Sequence, residues 1–359
     1  MVRMTNCRCW KSLRPKTMRV LRVDEVLASL DAPKVNAIEN VLIAPHDAVV
    51  VCAGFEERSL GVLQSLHSVA RPRVILVEYR PVLLGNRLEE CLSECRRIDV
   101  TPLRYVYDRE NPAGAGSEIW SLLHGISGRV FIDVSGMSRL LIVQLLGSCM
   151  SQPTSSKVTV LYTEPEHYYP IQEQLAGAQG KASRSRVEFL SWGVSEITVV
   201  PELSSVALPE QPTHLIAFPS YDGQQLAAVR KDVEPARISL IFGMPLPEHG
   251  KWRLEAVRGL NYRRTQRNVA EYVTSTYDYR ETLHLLLQLY SAGQRLEKIV
   301  ISPTGSKMQT IAVGITKAFL RDVKVVYPTP GSFATEAYTT GIRRMHELPL
   351  DAFWPTSCS

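Results

Sequence analysis

The chain repeats one pattern of strand, turn and helix at a nearly constant separation. Residues 48–81 read AVVVCAGFEERSLGVLQSLHSVARPRVILVEYRP, an apolar strand, a polar turn, an amphipathic helix and a second strand that ends in proline. Residues 213–245 follow the same course, and Pro81 and Pro245 are 164 positions apart (81 to 245). A repeat of this length indicates duplicated α/β units.

Two further landmarks recur in the same order. Residues 131–139, FIDVSGMSR, and residues 299–307, IVISPTGSK, each run from an apolar strand into a hydroxyl-rich turn, and Ser135 and Thr304 are 169 positions apart (135 to 304). Tyr162 and Tyr327, near the close of each unit, are 165 positions apart (162 to 327). Short Val/Ile/Leu strands that alternate with helices are typical of parallel sheets. We therefore predict an α/β fold of two tandem Rossmann-like units with mainly parallel sheets, related by internal duplication; chance similarity of generic β-α units is the alternative.

The domain organisation follows from the repeat and from local composition. We predict a basic N-terminal leader with a short helix in residues 1–40, a first Rossmann-like unit with a connector in residues 41–200, and a second Rossmann-like unit in residues 201–359. The connector begins near residue 171, where IQEQLAGAQGKASRSR is rich in Gln, Gly, Ala, Ser and Arg, and EFLSWGVSEITVV then returns to strand character.

Composition excludes several classes of protein. No apolar run reaches the roughly 18 residues of a membrane span, and the N-terminus lacks an apolar signal core, so we expect a cytoplasmic protein without membrane partners. The net charge of +5 suits anionic ligands but is too small to indicate a nucleic-acid binder. Cys7 and Cys9 are followed by no second pair at zinc-finger spacing, so we expect no metal, whereas Cys52 and Cys149 lie in apolar segments and should be buried.

The turn of residues 134–139 has the chemistry of an anion site. Ligands of parallel α/β sheets bind at the carboxyl ends of strands, where the N-terminus of the next helix offers free N–H groups. The hydroxyls of Ser135 and Ser138, the cation of Arg139 and the bare backbone of Gly136 would meet an anion there. The same residue types also cap helices without any ligand, and this structural role is the alternative for each turn.

The second turn offers the same groups, with lysine in place of arginine. Thr304, Gly305, Ser306 and Lys307 precede the apolar helical stretch MQTIAVGITKAFL. Neither turn has Walker spacing and neither unit has a G-x-G-x-x-G fingerprint, so NAD and FAD are disfavoured and we expect no cofactor.

The first turn carries the motif of a known family. The motif is Asp or Asn, one residue of any type, Ser or Thr, three residues of any type, and then Arg or Lys. Asp133, Ser135 and Arg139 match it. In this motif the chain resembles the CRISPR-associated Rossmann-fold domains that sense cyclic oligoadenylates. The second copy, Ser302-x-Thr304-x-x-Lys307, is one residue shorter and begins with Ser. The resemblance implies that the loops after the first strand of each unit, residues 54–59 and 220–223, also line the ligand site.

Those loops contain groups that suit a nucleotide. Arg58 could reach a phosphate and Phe55 could stack on a base, while Tyr221 and Asp222 offer an aromatic ring and a hydrogen-bond acceptor to adenine. Burial of the rings in the core is the alternative reading.

The resemblance also implies a function. Such domains pair so that two equivalent sites hold one cyclic ligand, and a chain with two units could form that pair internally. We expect a sensor of an anionic nucleotide, of the cyclic oligoadenylate kind, that signals to a separate effector protein in antiviral defence; a homodimer is left open.

One alternative is a nucleotide-processing hydrolase or ring nuclease, for which Glu164, Glu166 and His167 are the catalytic candidates. The second alternative is a protein-interaction scaffold.

Overall fold

The computed structural model describes residues 30–37, 42–149, 156–174, 191–205, 210–261, 268–335 and 338–351. The leader before residue 30, with Cys7 and Cys9, and residues 175–190 of the connector lie outside the described residues. Cys52 and Cys149 are buried in apolar surroundings, which confirms that prediction. Within the described ranges, no helix is both long enough and apolar enough to cross a bilayer.

The first sheet has seven strands and is parallel at its centre. Its strands are β1 (Lys34–Asn36), β2 (Ala48–Ala53), β3 (Arg73–Arg80), β4 (Leu103–Asp108), β5 (Val130–Asp133), β6 (Val158–Glu164) and β16 (Arg344–Pro349). They lie in the order β1-β16-β6-β5-β2-β3-β4, in which β6 to β4 are parallel and β16 runs antiparallel to both β6 and β1. The C-terminal strand of the described chain thus returns to the first sheet.

The second sheet has five strands, all parallel. They are β9 (Thr213–Ala217), β10 (Arg237–Met244), β11 (Val269–Ser275), β12 (Lys298–Ser302) and β13 (Lys324–Val325), in the order β11-β10-β9-β12-β13. The parallel strands have the spatial order β4-β3-β2-β5-β6 in the first sheet and β11-β10-β9-β12-β13 in the second. When the strands of each set are numbered along the chain, both orders are 3-2-1-4-5. This common order confirms the predicted α/β class with two mainly parallel sheets.

Two antiparallel ribbons lie outside the sheets. Strand β8 (Ser191–Thr198) pairs with β14 (Tyr327–Phe333), and β7 (His167–Tyr168) pairs with β15 (Thr339–Thr340). Strand β8 falls within the segment predicted to return to strand character. Each ribbon joins a strand before residue 200 to a strand after residue 325.

Helices cover both faces of each sheet. They are α1 (Gly61–Ser65), α2 (Leu88–Arg97), α3 (Ala115–Ser121), α4 (Arg139–Cys149), α5 (Gly223–Val233), α6 (Trp252–Asn261), α7 (Tyr279–Gly293) and α8 (Lys307–Phe319). Short 3-10 turns occupy Glu57–Leu60, Pro201–Leu203 and Pro247–His249. Helices α1 and α2 pack on the outer face of the first sheet, α5 and α6 on the outer face of the second, and the other four lie between the sheets.

The central core joins the two sheets through α4 and α8. Both helices are apolar on nearly all sides, as expected for helices enclosed by protein, and one buried cluster contains residues of both helices and of both sheets. The helices approach closely at Gly314, where an added Cβ would lie 2.8 Å from the Cβ of Leu146. Because α4 and α8 each begin at the end of one of the sequence-predicted turns, this packing brings the two turns together.

Candidate ligand-binding site

A cavity of about 720 Å³ lies where the carboxyl ends of the two parallel sheets face each other. Its walls come from the segments that follow β2, β3, β4 and β5 of the first sheet and β9, β10, β11 and β12 of the second, with β8 and β14 as a further wall. This volume is within the range of about 300–1,000 Å³ that small-molecule sites occupy. The position is the one at which parallel α/β sheets bind ligands.

Most of the residues predicted to bind a ligand line this one cavity. They come from both turns and from both first-strand loops: Phe55, Arg58, Gly136, Ser138, Arg139, Tyr221, Asp222, Thr304, Gly305, Ser306 and Lys307. Three others, Asp133, Ser135 and Ser302, are buried beneath the turns and do not form its wall. Their predicted contact with a ligand remains a prediction.

The first turn, residues 134–139, is held from below by Asp133 and Ser135. The Asp133 Oδ1 atom accepts hydrogen bonds from the Ser135 backbone N–H at 2.9 Å and from the Ser135 hydroxyl at 2.5 Å, and that hydroxyl accepts one from the Thr163 N–H at 2.8 Å. Burial raises the pKa of Asp133 to about 6. These two motif residues therefore fix the turn against β6.

The second turn, residues 303–307, is built by a helix cap. The Ser306 hydroxyl accepts a hydrogen bond from the Gln309 N–H at 3.2 Å, and the Gln309 side chain accepts one from the Ser306 N–H at 2.9 Å, which is a capping box. The Thr304 hydroxyl donates to the Phe218 carbonyl. The second turn is thus tied to the loop after β9, whereas the first is tied to β6.

The two turns bind each other reciprocally. Arg139 Nε donates to the Gly305 carbonyl at 2.6 Å, and Lys307 Nζ donates to the Met137 carbonyl. Arg139 and Lys307 are each the first residue of a helix, and Met137 and Gly305 each lie two residues before one of these helices. Arg139 is thus equivalent to Lys307 and Met137 to Gly305, each pair 168 positions apart (139 to 307 and 137 to 305). Contacts in which each member binds the other's equivalent define a local two-fold relation. The two predicted cations thus meet at the centre of the cavity.

The contact between the two turns brings two basic side chains, Arg139 and Lys307, to the cavity wall. Among the residues that the structure describes, no carboxylate lies within ion-pair distance of Arg139 or Lys307. Burial, together with the nearby guanidinium groups of Arg58 and Arg139, lowers the pKa of Lys307 to about 7. An anion placed between the turns would relieve this repulsion.

Glycine allows the first turn to approach β2. A Cβ at Gly136 would lie 2.3 Å from the Cys52 carbonyl oxygen and 2.9 Å from the Ser59 Cβ, both too close for any side chain. A Cβ at Gly54 would lie 3.1 Å from the Gly136 Cα atom. The close approach explains why this turn and the first-strand loop together form one wall.

The first-strand loop of the first unit holds Arg58 in a buried ion pair. The Arg58 guanidinium donates to both carboxylate oxygens of Glu56 at 2.9 Å and to the Tyr162 hydroxyl at 2.8 Å. Phe55 packs against the rings of Phe333 and Tyr338, with centroid separations of 6.0 and 5.3 Å. Arg58 reaches the cavity, but Glu56 already neutralises its charge.

The equivalent loop of the second unit places Tyr221 and Asp222 at the opposite wall. Arg253 donates to the Tyr221 hydroxyl at 3.3 Å and to the Tyr168 carbonyl at 2.8 Å. Asp222 Oδ1 caps helix α5 by accepting from the Gln224 N–H at 3.0 Å. Both side chains line the cavity, and burial raises both of their pKa values.

The candidate catalytic residues lie outside the cavity wall. Glu164 is fully buried, and its carboxylate accepts hydrogen bonds from His249 at 2.8 Å, Tyr277 at 2.9 Å and His346 at 3.1 Å, and from Arg344. These partners hold its pKa well below the usual range. Glu166 and His167 are exposed and do not line the cavity.

A chain of tyrosine hydroxyls runs along the cavity from Arg58 to Glu164. The Tyr162 hydroxyl lies 2.7 Å from that of Tyr168, which lies 3.0 Å from that of Tyr277. Arg58 can only donate, and the ionised Glu164 can only accept, so the hydroxyl hydrogens along the chain all point toward Glu164. The chain links the first-strand loop of the first unit, through Arg58, to the loop after β11 of the second unit, through Tyr277.

Sequence reasoning missed Arg109 and the tyrosines Tyr79, Tyr168 and Tyr277, all of which line the cavity. Arg109 directly follows β4, so the rule that ligands bind at carboxyl ends of strands applies to it as much as to the two turns. The same rule applies to Tyr79, near the carboxyl end of β3, and to Tyr277, two residues after β11. Tyr168, on β7 of an antiparallel ribbon, had no comparable signal.

No family model and no curated protein matches the chain. Three solved structures are similar to parts of it. The structure of a type III CRISPR defence DNA nuclease activated by cyclic oligoadenylate aligns with a TM-score of 0.45 and 11% identity over 82% of this chain and 68% of that chain. The cytoplasmic domain of a prokaryotic cation chloride cotransporter gives a TM-score of 0.25 and 12% identity over 82% and 99%. O-ureido-L-serine synthase gives 0.18 and 14% over 81% and 74%. At these scores the likenesses do not identify what the cavity binds.

Proposed function

We propose that the chain is a sensor of an anionic nucleotide, of the cyclic oligoadenylate kind, which binds between the two units. The observation that carries the proposal is the reciprocal pair of cations, Arg139 and Lys307, at the centre of a cavity between equivalent turns. Their carbonyl contacts position both side chains without a carboxylate partner, and the Arg139 guanidinium also hydrogen-bonds the Tyr327 and Tyr338 hydroxyls. A phosphate placed between the turns would meet two positive charges and these neighbouring hydroxyls. The motif resemblance of the first turn supports the same ligand class.

The walls of the cavity suit the remainder of a nucleotide. Phe55, Tyr221 and Tyr338 line it beside the cations, and base stacking on such rings contributes about 1–3 kcal/mol per base. Burial of Phe55 in a core separate from the cavity was the alternative, whereas its ring borders the cavity. The combination of a central cation pair with flanking rings favours nucleotides over simple anions.

The signal follows from where the ligand would sit. A ligand that contacts both turns binds the arrangement in which the units are close more tightly than any separated arrangement, so it shifts the population toward that state. We propose a separate effector protein as the receiver, acting in the cytoplasm in antiviral defence. The division into residues 41–200 and 201–359 remains part of this proposal.

The test is calorimetric titration with cyclic di-, tri-, tetra- and hexa-adenylate. We expect at least one to bind, and Arg139→Gln to weaken it by about 10- to 100-fold, as loss of a charge-assisted hydrogen bond predicts. Arg96→Gln is the control, because Arg96 is exposed on α2 and distant from the cavity wall. If none of the four ligands binds, or if both variants bind alike, the sensor proposal is wrong.

The enzyme alternative has less support from the site. Glu164 is engaged by His249, Tyr277 and Arg344, so it lacks an oxygen free to take a proton from a ligand. Chromatography of cyclic oligoadenylates incubated with the protein tests the alternative. Cleavage that is lost in Glu164→Gln, in a variant shown to be folded, would favour the hydrolase.

A further inference from the structure

Among the described residues, Arg109 is the cavity-lining cation whose guanidinium N–H groups donate to no oxygen or nitrogen acceptor. It follows strand β4, and its guanidinium carbon lies 4.4 Å from the centroid of the Tyr79 ring and 5.5 Å from that of the Phe333 ring. Within the described ranges, no oxygen or nitrogen acceptor binds its guanidinium, so its contacts are with the two rings. The rings position the charge, and the five N–H donors remain for a ligand.

The other cations of the cavity differ in this respect. Arg58 is paired with Glu56, Arg139 donates to a carbonyl of the opposite turn, and Arg253 donates to the Tyr168 carbonyl. Lys307 likewise donates to a carbonyl. Arg109 therefore has more unpaired side-chain N–H donors than these other cations of the wall. It also lies apart from the two turns.

The second unit has no equivalent of this cation. The Arg109 N–H donates to the Arg80 carbonyl at 2.8 Å, and the Thr276 N–H donates to the Met244 carbonyl at 2.9 Å, so Arg109 and Thr276 occupy the same position in the two units. A hydroxyl thus stands where the first unit has a guanidinium. Whatever Arg109 binds lies on one side of the local two-fold axis.

The chemistry of the donors limits the partner. A guanidinium fork is satisfied by two neighbouring acceptors, as in a phosphate, or by O6 and N7 of guanine. Adenine presents a donor beside N7, so an adenine edge leaves part of the fork unpaired. The cavity already centres on cations, which favours a phosphate as the partner.

We propose that Arg109 binds a second phosphate of the ligand, so that the site takes a nucleotide with at least two phosphate groups, one at the turns and one beside β4. This inference rests on the proposed nucleotide sensor and adds that the ligand must carry at least two phosphate groups. A mononucleotide could occupy the turns but would not reach both places.

The experiment compares ligands with one and two phosphates in the intact chain. Adenosine monophosphate, linear 5′-phosphorylated diadenylate and cyclic diadenylate are titrated calorimetrically at several salt concentrations into the wild type, Arg109→Gln and Arg109→Lys. We expect Arg109→Gln to weaken the two diadenylates by about 10- to 100-fold and to leave the monophosphate unchanged. The slope of log affinity against log salt should fall by about 0.7 for the diadenylates.

The lysine variant and a guanine probe separate the remaining outcomes. Arg109→Lys should keep the salt slope and lose part of the affinity, because it keeps the charge without the fork. The inference is wrong if Arg109→Gln weakens the mono- and diadenylates equally, or if it binds them all as tightly as the wild type does. It is also wrong if the loss is confined to cyclic diguanylate, which serves as the guanine probe. Thermal unfolding checks that the variants are folded. If the wild type binds no nucleotide, the sensor proposal itself fails; if it binds and Arg109→Gln binds equally, only the second phosphate is wrong.

Discussion

The two units share one strand order, yet equivalent positions at their carboxyl ends carry different groups. Strand register pairs Tyr79 with Tyr107 in the first sheet and Gly243 with Thr274 in the second, so a ring in one unit corresponds to a bare backbone in the other. Tyr79, Tyr107 and Gly243 all line the cavity. The two units therefore share a strand order but present different groups to the cavity.

The largest difference between the units is the buried carboxylate. Glu164 accepts hydrogen bonds from Arg344 and His346 on β16 of the first sheet and from His249 and Tyr277 of the second unit. Replacing it by Gln leaves the partly buried Arg344 against a neutral amide. We expect Glu164→Gln to lower the free energy of unfolding by about 3 kcal/mol. Urea denaturation measures the change, with the exposed neighbour Glu166→Gln as the control at about 0.5 kcal/mol or less. Equal values for the two would show that the network does not hold the units together.

The glycines of the two turns should differ next. An added methyl at Gly136 meets the Cys52 backbone, whereas at Gly305 it meets first the end of the Gln309 side chain, which can move. We expect Gly136→Ala to destabilise by about 2–3 kcal/mol and Gly305→Ala by about 1 kcal/mol. Denaturant unfolding checks both, with Gly259→Ala as a control because open space surrounds that position in α6. A larger loss at Gly305 would reverse our ranking.

The two central cations should differ in their response to pH. Arg139 stays charged at all relevant pH values, but the pKa of Lys307 is lowered to about 7, so its charge, and with it the attraction for a phosphate, is present below pH 7 and is lost as pH rises. We expect the affinity for a cyclic oligoadenylate to fall from pH 7 to 9 by at most about tenfold per unit.

Lys307→Arg supplies the control for this pH dependence, since it keeps a fixed charge. Its nearest charged groups, Arg58, Glu56 and Arg139, stay charged over this range, and burial raises the pKa of Cys52 to about 12. Calorimetry at constant ionic strength should give a flat profile for the variant. A wild-type profile that is equally flat would contradict the lowered pKa.

The smallest difference concerns the helix caps. Ser306 takes part in a reciprocal capping box, while the Ser138 hydroxyl accepts a single hydrogen bond from the Leu141 N–H at 3.2 Å. We expect Ser306→Ala to lower stability by about 1 kcal/mol and Ser138→Ala by about 0.5 kcal/mol. Parallel thermal melts resolve the order, and a Ser138→Ala loss as large as that of Ser306→Ala would remove this distinction between the turns.

The sequence was most informative where a local pattern determines the result. Apolar strands that run into small polar turns identified both sheets, and the position of Arg139 and Lys307 at helix starts placed them on one cavity wall. The direct bond from each cation to the opposite turn was not predicted, because it depends on how α4 packs against α8.

Other features depend on contacts between distant parts of the chain or on competing local hydrogen bonds, which local sequence patterns do not reveal. Asp133 and Ser135 bind each other and β6 below the turn, since short polar side chains compete for nearby backbone groups as readily as for a ligand. The pairing of β16 with β6 joins residues far apart in the chain, and a six-residue strand carries no information about its partner. The tyrosine chain likewise exists only once both units are in place.

The return of β16 to the first sheet has a mechanical consequence. The chain passes from β8 into the second sheet and returns through β14, β15 and β16 to the first, so two covalent connections, rather than one, join the two sheets. A body held by a single tether can swivel in any direction, whereas a body held by two rotates mainly about the line that joins them. Because the two sheets also share the buried core around α4 and α8, these connections leave the second sheet only small rotations about the line that joins them.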